Sequence, residues 1–187
     1  MVQIVSKPLT LVPFLKLPET EPAREYIDGE IIQKQMPPGK HSTIQTELSA
    51  TINAVLKRQR IGRAFCELRC TFGGRSIVPD ISVFVWERIP RDDRGEIANV
   101  FSLAPDWNIE IRSPDQSQTQ ITEKILYSLE FETQMGWAID SKEQTLSVYR
   151  PQQRPEVFDE YAQQLPVPSF ARDIQLTVGE LFGWLLA

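Results

Sequence analysis

Trp107-Asn108-Ile109-Glu110-Ile111-Arg112-Ser113-Pro114 is the stretch on which the fold turns. It alternates with a period of two, so Trp107, Ile109 and Ile111 share one face while Asn108, Glu110 and Arg112 share the other. That is strand spacing, closed by Ser113-Pro114. Downstream, from about Ser117 to Thr133, the period changes to helical, with Ile121, Ile125 and Leu129 on one side and Gly136 read as the stop. Trp137-Ala138-Ile139-Asp140 then returns to strand spacing. A strand–helix–strand unit of this kind crosses over right-handedly, which sets the 137–139 strand parallel to the Glu110 strand.

Upstream, Val78-Pro79-Asp80-Ile81-Ser82-Val83-Phe84-Val85 alternates in the same way. Ile81, Val83 and Val85 point one way; Asp80 and Ser82, joined by Phe84, point the other. Ala64 to Arg75 reads as a strand, with Gly73-Gly74 turning into the Asp80 strand. Before it, Lys40 to Arg60 carries Ile44, Leu48, Ile52, Val55 and Leu56 as one helical stripe, with His41 on the same face. Glu25-Tyr26-Ile27-Asp28-Gly29-Glu30-Ile31-Ile32 is a hairpin signal built on Asp-Gly. Thr145 to Tyr149 completes a strand pair with 137–140. Glu87 to Pro105 is a surface loop, Pro151 to Pro168 a connector or lid, and Thr177 with Glu180 opens a short closing helix through a capping box. The sum is an α/β chain of the α+β mixed type, a mixed β-sheet flanked by helices with an N-terminal β-hairpin. Residues 1–20, punctuated by Pro8, Pro13 and Pro18, read as an arm, and 21–187 as a single domain.

The chain has 187 residues, 41% of them hydrophobic and 24% charged, the balance of a soluble globular protein. No stretch is long and apolar enough to span a bilayer, so a cytoplasmic protein with no membrane partner is expected. Net charge is −5, which argues against a passive nucleic-acid coat. Lys57, Arg58, Arg60 and Arg63 nonetheless cluster, with Arg69 and Arg75 further on. They form either a cationic patch or the solvated end of a helix. Cys66 and Cys70, on one face of the Ala64–Arg75 strand, are reduced thiols; with one His in the chain a thiolate zinc site has too few ligands.

If the Asp80 and Glu110 strands are neighbours, Asp80, Glu110 and Arg112 converge on one side of the sheet. Two carboxylates and a fixed cation suit Mg²⁺-assisted phosphoester hydrolysis. Two polar faces of a half-solvated sheet would carry the same pattern. On the helix that follows, Lys124 falls between Phe131 and Ile121, inside the apolar arc. It either snorkels along the sheet or points at a site.

Taken in order, these pieces resemble the bacterial putative restriction endonuclease family, long filed as a domain of unknown function, within the PD-(D/E)XK superfamily. The resemblance spans roughly 24–150. It rests on Asp28-Gly29-Glu30, His41, Val78-Pro79-Asp80, Ile109-Glu110 with Ser113-Pro114, Lys124, and Trp137 through Asp140. It implies a restriction-endonuclease-like core and a Mg²⁺- or Mn²⁺-dependent DNA endonuclease, a homodimer if both strands are cut. The metal ligands implied are Asp80, Glu110 and the Ile111 carbonyl. The chain departs from the superfamily at Arg112, which stands where a lysine belongs and cannot deprotonate a water. Either the metal ionises the water with Arg112 as electrostatic partner, or Lys124 takes the lysine's role. Glu30 is a further candidate carboxylate or a plain surface residue, as is Glu47 at the edge of the first helix. His41 either contacts phosphate or is a satisfied, half-buried histidine. The competing function is a catalytically silent nuclease-fold protein acting as a binding or regulatory module, which Arg112 and the acidic charge both favour. No P-loop and no Gly-X-Ser-X-Gly elbow is present, so a small-substrate hydrolase has no support.

Overall fold

The computed structural model describes residues 10–114 and 116–186. Its framework is a six-stranded sheet of β3 (Gly62–Cys66), β6 (Ile81–Val85), β7 (Trp107–Arg112), β8 (Met135–Asp140), β9 (Thr145–Tyr149) and β10 (Glu156–Phe158). The strand order is β10-β9-β8-β7-β6-β3. Only the β7–β8 pair is parallel, and it is the pair joined through α3 (Gln118–Leu129). A second sheet, ordered β2-β1-β5-β4, holds the hairpin β1 (Arg24–Ile27) and β2 (Glu30–Gln33) against β4 (Cys70–Phe72) and β5 (Arg75–Ile77). The expected mixed α/β architecture is the one observed.

The stripe read as a helix becomes α2 (Gly39–Leu56), four residues shorter than expected at its C-terminal end. Ile44, Leu48, Ile52 and Leu56 are each 0% exposed. They pack with Ile81, Val83, Trp107, Ile109 and Ile111 from one face of the large sheet. Each such side chain contributes about 1.5–3 kcal/mol by leaving water. The opposite face is also covered, which removes the reading of the polar residues as a half-solvated face. Ser82 and Asn108 are 0% exposed, Glu110 1% and Asp80 3%, so this is no solvated surface.

Five local expectations are corrected. Ala64–Arg75 is two strands in different sheets: the chain leaves β3 at Glu67, whose φ of 50° breaks the extended run. Cys66 is therefore exposed and Cys70 buried, so they do not share a face. Gly73-Gly74 closes the β4–β5 hairpin and not the entry to β6. Gly136 lies inside β8, where an added Cβ would come within 2.1 Å of Ile125 Cγ2; it lets α3 close down on the sheet. Pro151–Pro168 is no lid. It contains β10, buried Leu165, and Pro166, whose carbonyl accepts from Trp137 Nε1 at 3.0 Å. The capping box of Thr177 and Glu180 forms as expected at the start of α4 (Val178–Gly183). Part of the N-terminal arm, 1–9, lies outside the described residues. The rest includes α1 (Leu11–Phe14), whose Phe14 packs on Tyr26 with ring centroids 5.5 Å apart.

Candidate active site

The β6–β7 ladder brings the two carboxylates together. Its antiparallel register pairs Ile81 with Ile109, and one step further sets Asp80 opposite Glu110. Asp80 Oδ2 accepts from the Ile111 N–H at 2.6 Å. The first turn of α2 brings His41, 5% exposed, with Nε2 3.1 Å from the same oxygen. Asp80 Oδ1 accepts from Lys34 Nζ at 2.8 Å.

Glu110 faces α3. Lys124 Nζ lies 3.0 Å from Glu110 Oε1 and 3.1 Å from Oε2, and 2.9 Å from Glu25 Oε1 on β1. Glu25 is 3% exposed and also accepts from the Val78 N–H at 2.8 Å, tying the hairpin to the entry of β6. Lys124 is thus a buried ammonium held between two buried carboxylates. It does not snorkel to solvent but points inward at Glu25 and Glu110.

Burial works against the charge on each of these groups, and their neighbours decide the outcome. Burial alone would raise the Asp80 carboxyl, but the Lys34 ammonium and the His41 bond outweigh it and hold Asp80 well below the usual carboxylate range. Burial pushes Glu110 up to about 8; Lys124 pulls against this, while the charges of Asp80 and Glu25 push with it. For Lys124, burial would lower the pKa, yet the carboxylates of Glu110, Glu25 and Asp80 raise it well above the ordinary lysine value. Lys124 therefore stands here as a positive charge between Glu110 and Glu25.

The remaining candidates lie elsewhere. Arg112 sits opposite Asp140 in the β7–β8 register and forms an ion pair with it, while its Nε donates to Gln116 O at 3.3 Å. It braces two strands and does not join the Asp80–Glu110 cluster. Glu47 is exposed on α2. Glu30 is exposed on the wall of an open cleft of about 770 Å³ that runs between the β1–β2 hairpin and α3, with Glu25, Lys34 and Lys124 among its lining.

Two residues that touch this cluster escaped the sequence reading, Glu25 and Lys34. Both were accessible through the hairpin. Its register pairs Glu25 with Ile32, and Lys34 N–H bonds to Ala23 O one step on, so Glu25, Ile32 and Lys34 share one face. Glu67, which accepts from Lys34 at 2.8 Å and from Gln45 at 3.1 Å, carried no such signal, because it sits in an irregular turn.

No three Asp, Glu, His or Cys side chains among the described residues form a ready metal cage. The donor set nevertheless fits a hard cation in kind. Two carboxylates stand side by side, and Glu110 Oε1 is a buried oxygen that accepts no hydrogen bond despite its nearness to Lys124. What stands in the way is the pair of lysines already neutralising the carboxylates.

The family model described as Uma2, putative restriction endonuclease, matches residues 11–179. The crystal structure of a putative nuclease belonging to DUF820 from Anabaena variabilis ATCC 29413 is 65% identical in sequence. It superposes with a TM-score of 0.94, covering 95% of this chain and 99% of that one. No curated protein matches.

Proposed function

The chain belongs to the putative restriction endonuclease family, and on that premise we propose that it is a divalent-metal-dependent DNA endonuclease whose site is built on Asp80, Glu110 and Lys124. The observation that carries this reading is the Lys124 ammonium, buried between Glu25 and Glu110, with Asp80 across the β-ladder from Glu110.

Asp80, Glu110 and the Ile111 carbonyl would hold Mg²⁺ or Mn²⁺, which when bound supplies Lewis-acid stabilisation and a more acidic water. Everything else is the work of the chain. Lys124, kept charged by its carboxylates, donates to the attacking water or a phosphate oxygen and offsets charge developing on phosphorus. Glu25 fixes the lysine's direction, and His41 with the Ile111 N–H fixes Asp80. Arg112 acts at one remove by tying β7 to β8 through Asp140. The cleft between hairpin and α3 leads a nucleic-acid strand to this floor, with Glu30 on its rim.

The silent-relative reading leaned on Arg112 standing where a lysine belongs. That support weakens once a lysine from α3 touches Glu110 directly. The same proposal takes 21–187 as the nuclease domain with 1–20 as its arm, acting as a homodimer in the cytoplasm. No helix among the described residues is long and apolar enough to cross a membrane.

The test is incubation of supercoiled plasmid and single-stranded DNA with Mg²⁺ or Mn²⁺, wild type and Glu110→Gln purified in parallel. Cleavage by the wild type that vanishes in the variant is expected. Cleavage by neither protein, or equal cleavage by both, overturns the proposal.

A further inference from the structure

Lys34 ends the β1–β2 hairpin with its ammonium against three oxygens, Asp80 Oδ1, Glu67 Oε2 and Val78 O, each at 2.8 Å. Its side chain is 12% exposed, between a carboxylate that is 4% exposed and one that is 42% exposed. It therefore bridges the buried site and the surface. It also lines the open cleft and the small pocket of about 30 Å³ beside Asp80 and His41. Lys124 has no such latitude, because both of its carboxylate partners are buried.

Asp80 itself is asymmetric. Its Oδ2 is committed to a backbone amide of β7 and to a buried histidine on α2, both rigidly placed. Its Oδ1 is held by one side chain only, the flexible one. Glu67 is ready to receive that side chain, since Gln45 Nε2 donates to its other oxygen at 3.1 Å and Gln45 also donates to Asp80 O at 2.8 Å.

We propose that Lys34 is a displaceable counter-ion. In the metal-free protein it occupies the place on Asp80 Oδ1 that a divalent cation takes, and it withdraws to Glu67 when that cation binds. This rests on the metal-dependent reading above. The two adjacent carboxylates are neutralised from within, and one of the neutralising cations has a second carboxylate to go to. The Lys34 ammonium and a divalent ion repel each other and compete for the charge on Asp80 Oδ1, so this competition weakens affinity for the ion.

The test is calorimetric titration of Mn²⁺ into the full chain without nucleic acid, for wild type, Lys34→Met, Lys34→Gln, Glu67→Gln, Arg75→Gln and Glu110→Gln. Both Lys34 variants are expected to bind Mn²⁺ about tenfold or more tightly, tenfold being about 1.4 kcal/mol. Arg75, a cleft cation paired with Asp28, controls for the general field, and its variant should stay within about twofold of wild type. Glu67→Gln removes the receiving carboxylate from an exposed position and should weaken binding about threefold or more. Glu110→Gln should not bind.

Lys34 variants that are folded by circular dichroism and bind no more tightly than wild type overturn the counter-ion role and leave the nuclease reading standing. If both fail to fold, unchanged affinity in Glu67→Gln overturns it instead, and the expected weakening supports it. Binding by the Lys34 variants alone supports it in its strongest form. Absence of binding from wild type and Lys34 variants alike overturns the metal-dependent reading, and the inference falls with it.

Discussion

Replacing Lys124 with methionine removes a buried ammonium and leaves Glu25 and Glu110 facing each other, 3% and 1% exposed, with no cation between them. Methionine nearly preserves the volume of the lysine stem, so the change is almost purely electrostatic. Removing one partner of a buried ion pair costs about 3–5 kcal/mol. Against a total stability of about 5–15 kcal/mol that is a large fraction. For a chain of this size each kcal/mol moves the melting temperature by about 2–4 °C, so a fall of roughly 6–20 °C is expected.

The deficit has a definite pH dependence. Without the cation, burial and the charges of Asp80 and Glu25 raise the Glu110 carboxyl with nothing from Lys124 to oppose them. A carboxyl raised in this way favours the folded state below its unfolded pKa and loses that contribution as pH rises through the folded value. Lys124→Met should therefore lie nearest to wild type at pH 5 and furthest from it at pH 9, measured by urea unfolding at both. A deficit under about 1 kcal/mol at pH 9, where surface pairs fall, or one independent of pH, would refute the placement of Lys124.

Three further outcomes follow from the same geometry. Glu110 is pushed up to about 8 in the folded protein against an ordinary value of 4.5, so the metal-free wild type should lose stability as pH rises through that interval. Glu110→Gln should flatten the dependence in urea melts and be the more stable protein at pH 9. Burial pushes the Cys70 thiol up to about 12 while Cys66 is exposed. One thiol should thus react promptly with a disulfide reagent in the native protein and two in denaturant. Gly136→Ala sets a Cβ 2.1 Å from Ile125 Cγ2 and should cost about 1–3 kcal/mol in thermal melts, with Ile125→Ala restoring part of it.

How much of this was readable in advance depends on how local each signal was. The strands around Asp80 and Glu110 and the stripe of α2 showed themselves by period alone, and the Asp28-Gly29 turn formed with φ of 50° and 92° at its two residues. Asp80 and Glu110 were legible as a pair because their strands are neighbours in the sheet, and Lys124 because it interrupts an apolar arc. Glu25 and Lys34 needed the hairpin register to be worked through to its far end. The Arg112–Asp140 pair depends on the parallel register of β7 with β8, set by how far α3 travels before the chain returns. Glu67 bends the chain with a positive φ that nothing in its residue type announces, and Gly136 looked like a helix stop because glycine serves both there and at a close approach.

The most direct test of the assignment is the rate of Mg²⁺-dependent plasmid cleavage by wild type, Lys124→Gln and Arg112→Gln, run below the melting temperature of every protein. The account predicts a loss of about a hundredfold or more for Lys124→Gln, the scale of losing a charge-stabilising donor, and near-wild-type cleavage for Arg112→Gln. Full activity in Lys124→Gln with loss in Arg112→Gln would contradict it, returning the catalytic cation to the strand.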